Sequence, residues 1–291
     1  MTRPTLDALA RDGGTFLMVA MDQRESLRTM LAQHGHDATD ERMVRFKLAV
    51  ARELSPYASG FLIDRHYGYE EVVAHDLVAP SCGLILAADA LVQDPGDVVE
   101  DTDLDEGVDA RGAAAAGVVA LKLLVIWRDD EQRTRRVETA KRFVDFAHRH
   151  ELLSVLEPVV RTEPERRDDA IVDAAHDLAD VGCDLYKCEV PLHGRGDSEE
   201  ITRRCREIDG AVPCPWVVLS QGVEPDDFPS AVEAACRGGA SGMLAGRAVW
   251  TATLGADDPT ELLRRHSVPR LQELAAIVDA HGRPWREKGA P

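Results

Sequence analysis

The sequence predicts an α/β fold, a (β/α)8 barrel forming one domain over residues 1–291. Three observations lead there. Eight short apolar runs recur along the chain, a stretch of helical pattern follows most of them, and no Gly-x-Gly-x-x-Gly turn follows the first run. Alternation of this kind gives a parallel sheet, because each helix carries the chain back to the edge from which the strand began. Eight repeats favour closure over an open doubly wound sheet.

The elements follow in order. Residues 16–20 form the first strand, with helical patterns at 25–33 and 40–54. Strand 60–63 precedes helix 69–77, and strand 82–87 leads into an acidic stretch, 100–106, that reads as a solvated loop. Strand 118–126 precedes helix 131–149, whose alternating charges mark an exposed face. Three further pairs are strand 152–156 with helix 168–179, 183–186 with 198–208, and 216–219 with 227–238. The last strand, 242–244, precedes 260–280, where Pro269 predicts a kink or a break because proline removes a helical donor. No Pro/Gly/Ser-rich linker divides the chain, and its 44% hydrophobic content is ordinary for a globular protein.

A formal net charge of −18 argues against nucleic acid and anionic membrane as partners. An anionic substrate would be repelled at long range, so its site needs local cations. The six cysteines are scattered without the paired spacing of a zinc site, which fits buried, reduced thiols in a cytoplasmic protein. His34, His36, His75, His148, His150, His176 and His266 also lack metal-ligand spacing, so no metal is expected. No leader-like h-region opens the chain and no apolar run is long enough to span a bilayer, so neither a signal peptide nor a transmembrane span is expected.

Barrel enzymes carry their chemistry at the C-terminal ends of the strands. Here those ends read Asp22-Gln23-Arg24, Asp64, Asp89, Glu157, Lys187, Ser220-Gln221-Gly222 and Ala245-Gly246-Arg247, while Lys122 interrupts the apolar fourth run. Lys187 closes an apolar run where a long cation is normally excluded. Burial and a neighbouring Lys122 would both disfavour its charge and release a neutral amine able to attack a ketone. The plainer alternative is that Lys187 pairs with Glu189 or Asp184 at a strand end. Glu157 is the leading acid/base group, since Pro158 offers its carboxylate no backbone donor; a salt bridge to Lys122 is compatible with that role. Ser220, Gly222, Gly246 and Arg247 lie in the loops after strands seven and eight, where many barrels bind phosphate. Arg24 could grip a second anion, or simply pair with Glu25 at a helix start.

These blocks resemble the class I tagatose-1,6-bisphosphate aldolase family over nearly the whole chain. The resemblance rests on Asp22-Gln23-Arg24, Ala120-Leu121-Lys122-Leu123-Leu124, Leu156-Glu157-Pro158 and Asp184-Leu185-Tyr186-Lys187-x-Glu189, together with the blocks at 215–223 and 239–250. Gln23-Arg24-Glu25, the stretch 54–59, Leu123 to Arg128, Glu157-Pro158-Val159-Val160-Arg161 and Pro191-Leu192-x-Gly194-x-Gly196 bring it nearest to the branch acting on 6-deoxy-6-sulfofructose 1-phosphate in sulfoquinovose breakdown. The resemblance implies a metal-free mechanism without cofactor. Lys187 would form the imine, Glu157 would shuttle protons, and Lys122 and Asp22 would supply supporting charge. Ser220, Gly222, Gly246 and Arg247 would hold the phosphate of the dihydroxyacetone phosphate half. Gln23 and Arg24 would hold the far anion, with Asp64 and Arg195 as further substrate contacts. It also implies a homodimer or homotetramer. The chain departs from the family pattern at Cys188, Gln221, His193 and Arg195. Those departures touch the mouth, and so bear on specificity.

Three activities follow. The first is a class I aldolase releasing dihydroxyacetone phosphate and 3-sulfolactaldehyde, or glyceraldehyde 3-phosphate from tagatose or fructose 1,6-bisphosphate. The second is a sugar-phosphate isomerase or epimerase, using Asp22 with Glu157 or Asp64 as acid and base. The third is a metabolite-sensing barrel that keeps the site but does no chemistry.

Overall fold

The computed structural model describes residues 3–94 and 98–288. Numbered in chain order, the strands are β1 (Phe16–Met21), β2 (Gly60–Asp64), β3 (Gly83–Ala87), β4 (Asp89–Val92), β5 (Asp101–Leu104), β6 (Val118–Trp127), β7 (Leu153–Val160), β8 (Leu185–Cys188), β9 (Trp216–Val218) and β10 (Gly242–Ala245). Eight of them close a parallel barrel in the order β1-β10-β9-β8-β7-β6-β3-β2. The helices are α1 (Glu25–Gln33), α2 (Asp40–Leu54), α3 (Tyr69–Ala74), α4 (Ala110–Ala115), α5 (Arg133–Arg149), α6 (Arg167–Asp177), α7 (Ser198–Ala211), α8 (Phe228–Arg237), α9 (Arg247–Trp250), α10 (Thr260–Leu262), α11 (Val268–His281) and α12 (Trp285–Lys288). Among the described residues no helix is long and apolar enough to cross a membrane. All six cysteines are free and buried.

One expectation is corrected and another takes a more particular form. The acidic stretch 100–106 is not a bare loop: β5 pairs antiparallel with β4, from Asp89↔Leu104 to Val92↔Asp101. Acidic residues alternate along it, so one face reaches water while Thr102 is buried. The break expected around Pro269 takes the form of a π turn, Leu263–Ser267, which divides α10 from α11 and leaves the proline in the first turn of α11.

Strand side chains alternate between faces, so residues of one parity line the barrel interior. Phe16, Met18, Leu62, Ile85, Ala120, Val155, Leu185, Val217 and Leu244 pack there as a plug, closed from below by Leu6, Leu9 and Trp285. Each large apolar side chain buried in it stabilises the fold by about 1.5–3 kcal/mol. The other parity packs beneath the helices, as with Leu121, Leu123 and Tyr186. Between β3 and β6 the register slips by one residue, because Leu84 faces Val118 while Ile85 faces Ala120. That bulge puts Val119 and Ala120 both against the interior plug, and sets the parity of everything beyond them on β6.

The floor has its own polar pin. Asp184 accepts hydrogen bonds from Ser154 N (2.8 Å) and Ser154 Oγ (2.9 Å), lies 2.9 Å from His148 Nε2, and pairs with Arg3. With its carboxylate so occupied at the opposite end of β8, Asp184 does not pair with Lys187.

Candidate active site

The interior parity continues past the plug and turns polar. Asp22 follows Met18 and Ala20, Lys122 follows Ala120, Glu157 follows Leu153 and Val155, and Lys187 follows Leu185. These side chains meet at the C-terminal end of the barrel in a cavity of about 650 Å³. That size lies within the range of small-molecule sites.

Glu157 is the hinge of the constellation. Its Oε1 lies 2.8 Å from Lys187 Nζ and its Oε2 lies 2.7 Å from Lys122 Nζ. Lys187 is 3% exposed, so its amine points into the barrel mouth and not into bulk water. Its other suggested partner, Glu189, is committed elsewhere, to Arg167 (3.1 Å) and the Val160 N–H (2.8 Å).

Lys122 donates to Asp22 at 2.8 Å and to Asp89 at 3.2 Å. Burial works against its charge, but Asp22, Asp89 and Glu157 outweigh that and hold its pKa well above the ordinary lysine value. Burial likewise opposes ionisation of Asp22, yet Lys122 and Lys187 hold that carboxyl well below the usual range. The expectation that Lys122 acts on Lys187 as a repelling neighbour is therefore modified. Its charge is compensated by three carboxylates, and Glu157 lies between the two amines.

The remaining candidates separate. Gln23, Arg24, Ser220, Gly246 and Arg247 line the cavity. Arg24 does not pair with Glu25; it donates to the Asp89 carbonyl (3.0 Å) and carboxylate (3.1 Å), with Asp64 at 3.9 Å. Ser220 Oγ accepts from Ala248 N at 3.4 Å, and Arg247 donates to Gln221 Oε1 at 3.3 Å. Gly246 is required sterically, since a Cβ there would lie 2.4 Å from the Ala20 carbonyl and 3.1 Å from Gln23 Nε2. Gln23 thus sits on the Arg247 side of the mouth.

Three residues are not where the sequence reading put them. Asp64 is fully buried outside the cavity lining: it pairs with Lys47 and accepts from His66 N (2.9 Å) and Tyr67 N (3.0 Å). A carboxylate so saturated caps a turn. Arg195 is exposed and tied to Asp227 (2.6 Å) and Glu224 (3.8 Å), because its loop turns outward over α8. Gly222 also lies outside the cavity lining, in a turn at φ +76° where its carbonyl is 3.1 Å from His193 Nδ1.

Two cavity residues went unassigned. In sequence Asp89 reads only as a strand end and Arg161 only as part of a motif; both line the mouth. Counting by twos up β7 from Glu157 through Val159 reaches Arg161, which is a signal the sequence did carry. Lys47 was missed too, although it falls in the buried stripe Met43, Phe46, Val50, Leu54 of α2, where a cation needs an internal partner. Among the described residues no group of three or more His, Cys, Asp or Glu side chains is arranged to hold a metal.

An amine held against a carboxylate, with arginines about it, is equipped for covalent chemistry on an anionic carbonyl compound. Comparison with known proteins agrees in class. A family model described as DeoC/LacD family aldolase matches residues 16–252. Tagatose 1,6-diphosphate aldolase 2 of Streptococcus pyogenes serotype M3 is 27% identical, over 98% of this chain and 97% of the relative. Tagatose 1,6-diphosphate aldolase 1 of Streptococcus mutans serotype c is 26% identical, over 98% of each. Among solved structures, a fructose-bisphosphate aldolase from Slackia heliotrinireducens shares the fold at a TM-score of 0.66 and 20% identity, over 94% of this chain and 88% of that one. An archaeal fructose-1,6-bisphosphate aldolase, solved with its catalytic Lys covalently bound to the carbinolamine intermediate, gives 0.58 and 18%, over 94% and 97%. The protein is a class I aldolase, a lyase of the metal-independent kind. It belongs to the DeoC/LacD family. The isomerase and sensor readings are set aside accordingly.

Proposed function

We propose that the protein cleaves 6-deoxy-6-sulfofructose 1-phosphate into dihydroxyacetone phosphate and 3-sulfolactaldehyde, as a step of sulfoquinovose degradation in the cytoplasm. What carries the reading is the Lys187 amine, buried at the mouth and 2.8 Å from Glu157. Lys187 gives one proton to Glu157 and attacks C2 of the open-chain ketose; a second N–H proton moves to the C2 oxygen to complete the carbinolamine, and Glu157 then returns the first to that oxygen as water leaves and the iminium forms. The resulting iminium is an electron sink. A base takes the C4 hydroxyl proton, the C4 carbonyl forms, and the C3–C4 pair flows onto the imine nitrogen. The aldehyde departs, and the enamine left on Lys187 is protonated at C3 and hydrolysed to dihydroxyacetone phosphate.

Lys122 and Asp22 do not meet the reacting carbon in this scheme. Lys122 anchors one Glu157 oxygen and so leaves the other against Lys187. Ser220, Gln23 and Arg247, grouped about Gly246, hold the C1 phosphate. A second reading, cleavage of tagatose or fructose 1,6-bisphosphate, is favoured by the names of the relatives at 26–27% identity. The homodimer or homotetramer implied by the family resemblance belongs to the proposal and is open to light scattering.

Two measurements test it. Borohydride reduction with dihydroxyacetone phosphate should fix a mass adduct on Lys187, and an adduct elsewhere, or none, would defeat the mechanism. Turnover of the sulfonated and the bisphosphorylated ketoses, run side by side, should favour the sulfonate; a higher kcat/KM for either bisphosphate selects the second reading.

A further inference from the structure

Three arginines line the cavity, and they are not equivalent. Arg24 is committed internally through its charge: both terminal nitrogens donate to Asp89, and its Nε, though without a hydrogen bond, lies 3.9 Å from the Asp64 carboxylate. Arg247 reaches only the neutral Gln221 amide. The Arg161 guanidinium donates only to its own neighbour, the Val160 carbonyl, at 3.3 Å. Its Nε is buried without any partner, and among the described residues no carboxylate lies within ion-pair distance of it. A half-buried guanidinium in that condition has given up water without gaining an anion, a cost that a bound anion would relieve. Burial accordingly pulls its pKa below the ordinary arginine value, with Glu189 opposing only in part.

The position of Arg161 completes the case. It lies just beyond the end of β7, on the same face as Glu157 and Val159. Four residues along a strand separate it from Glu157, about 13 Å of backbone, which a long arginine side chain shortens to the reach of a six-carbon chain. In the barrel β8 stands between β7 and β9. Lys187 is thus flanked by Arg161 on one side and by Ser220 and Arg247 on the other. The wall below Arg161 is apolar: Val159 packs with Ile126 and Leu219, and Leu124 packs against them. Such a wall suits a methylene carrying the anion directly.

Resting on the aldolase reading above, we infer that Arg161, and not Arg24, holds the anionic group at the end of the substrate remote from the imine, and so sets the specificity of the enzyme for an anionic aldehyde. One guanidinium over a carbon-lined wall fits a sulfonate, whose single charge and three acceptor oxygens it can satisfy through paired N–H groups.

The test is aldol synthesis from dihydroxyacetone phosphate with aldehydes that differ in charge: 3-sulfolactaldehyde and glyceraldehyde 3-phosphate against uncharged glyceraldehyde. Arg161→Gln should lower the preference in kcat/KM for whichever anionic aldehyde the native enzyme favours by roughly tenfold to a hundredfold, chiefly through KM, the size expected for losing a charge-assisted pair. Arg161→Lys should recover part of that preference, whereas Arg24→Gln should depress all the aldehydes alike. An unchanged preference in Arg161→Gln, or a preference lost in Arg24→Gln instead, overturns the assignment. The borohydride adduct with dihydroxyacetone phosphate separates the two levels of failure. If the native enzyme forms none on Lys187, the aldolase mechanism falls and this inference with it. If native enzyme and Arg161→Gln both form it and the preference does not move, only Arg161 is wrongly assigned.

Discussion

The two halves of the barrel mouth differ in how completely their charges are matched. Along β1, β2, β3 and β6, three cations (Arg24, Lys47, Lys122) interlock with three carboxylates (Asp22, Asp64, Asp89). Along β7 to β10, the cavity presents Arg161, Lys187 and Arg247 against Glu157 alone. In a chain of net charge −18, that second arc is a local surplus of positive charge. The matched half is a rigid frame that needs no ligand, and the unmatched half is where a substrate with two anionic ends gains most.

The comparison can be broken at several points. The largest effect belongs to the unmatched half: Lys187→Ala should lower kcat by at least about 10⁴-fold, as loss of a covalent nucleophile does, and Lys187→Arg should not rescue it. Stopped assays and adduct mapping on the same preparations would check both. Glu157→Gln comes next, with a loss of about 10²–10⁴-fold in the rate of adduct formation, the ordinary worth of a positioned acid/base group. An unslowed adduct would assign proton transfer to another residue.

Substitutions in the matched half should act on stability first. Lys47→Met leaves Asp64 buried without its cation and should cost about 3–5 kcal/mol in denaturant unfolding. The Lys47→Met/Asp64→Leu double variant should regain most of that. If the double variant is as unstable as the single one, the charge pairing is not what holds that corner. Asp22 gives the pH signature. Its folded carboxyl titrates below its unfolded value of about 3.9, so its contribution is complete above that pH and fades as acid drives toward the folded value. Asp22→Asn should therefore flatten the acid limb of a melting-temperature profile. The smallest effect is expected of Arg195→Ala, whose exposed pairs lie outside the cavity; kcat/KM should stay within about twofold.

The barrel and the meeting of Asp22, Lys122, Glu157 and Lys187 could be read from the chain because both follow from local rules. Apolar runs mark strands, and alternation carries one parity of each strand inward until it turns polar. The hairpin of β4 and β5 was hidden because its acidic residues mimic a solvated loop. Partnership was hidden more deeply. Asp64 and Asp22 are both carboxylates at strand ends, and only the fold reveals that Lys47, on a helix, neutralises the one while the other faces the cavity. Arg24 and Arg161 present the same difficulty: each has acidic residues close by in the chain, Asp22 and Glu25 for the one and Glu157 and Glu163 for the other, and Asp89, remote in the chain, decides which of them remains open to a ligand.

The one-residue slip between β3 and β6 acts as a phase setter for the catalytic face. Val119 is the extra residue there, so removing it would heal the slip and leave Ile85 against Ala120 and Ala87 against Lys122, with the catalytic face in phase. The neighbouring strand has no such slack. The register of β7 on β6 is unbroken, so losing Leu156 alone would turn Glu157 out among the helices without altering one residue of the active site.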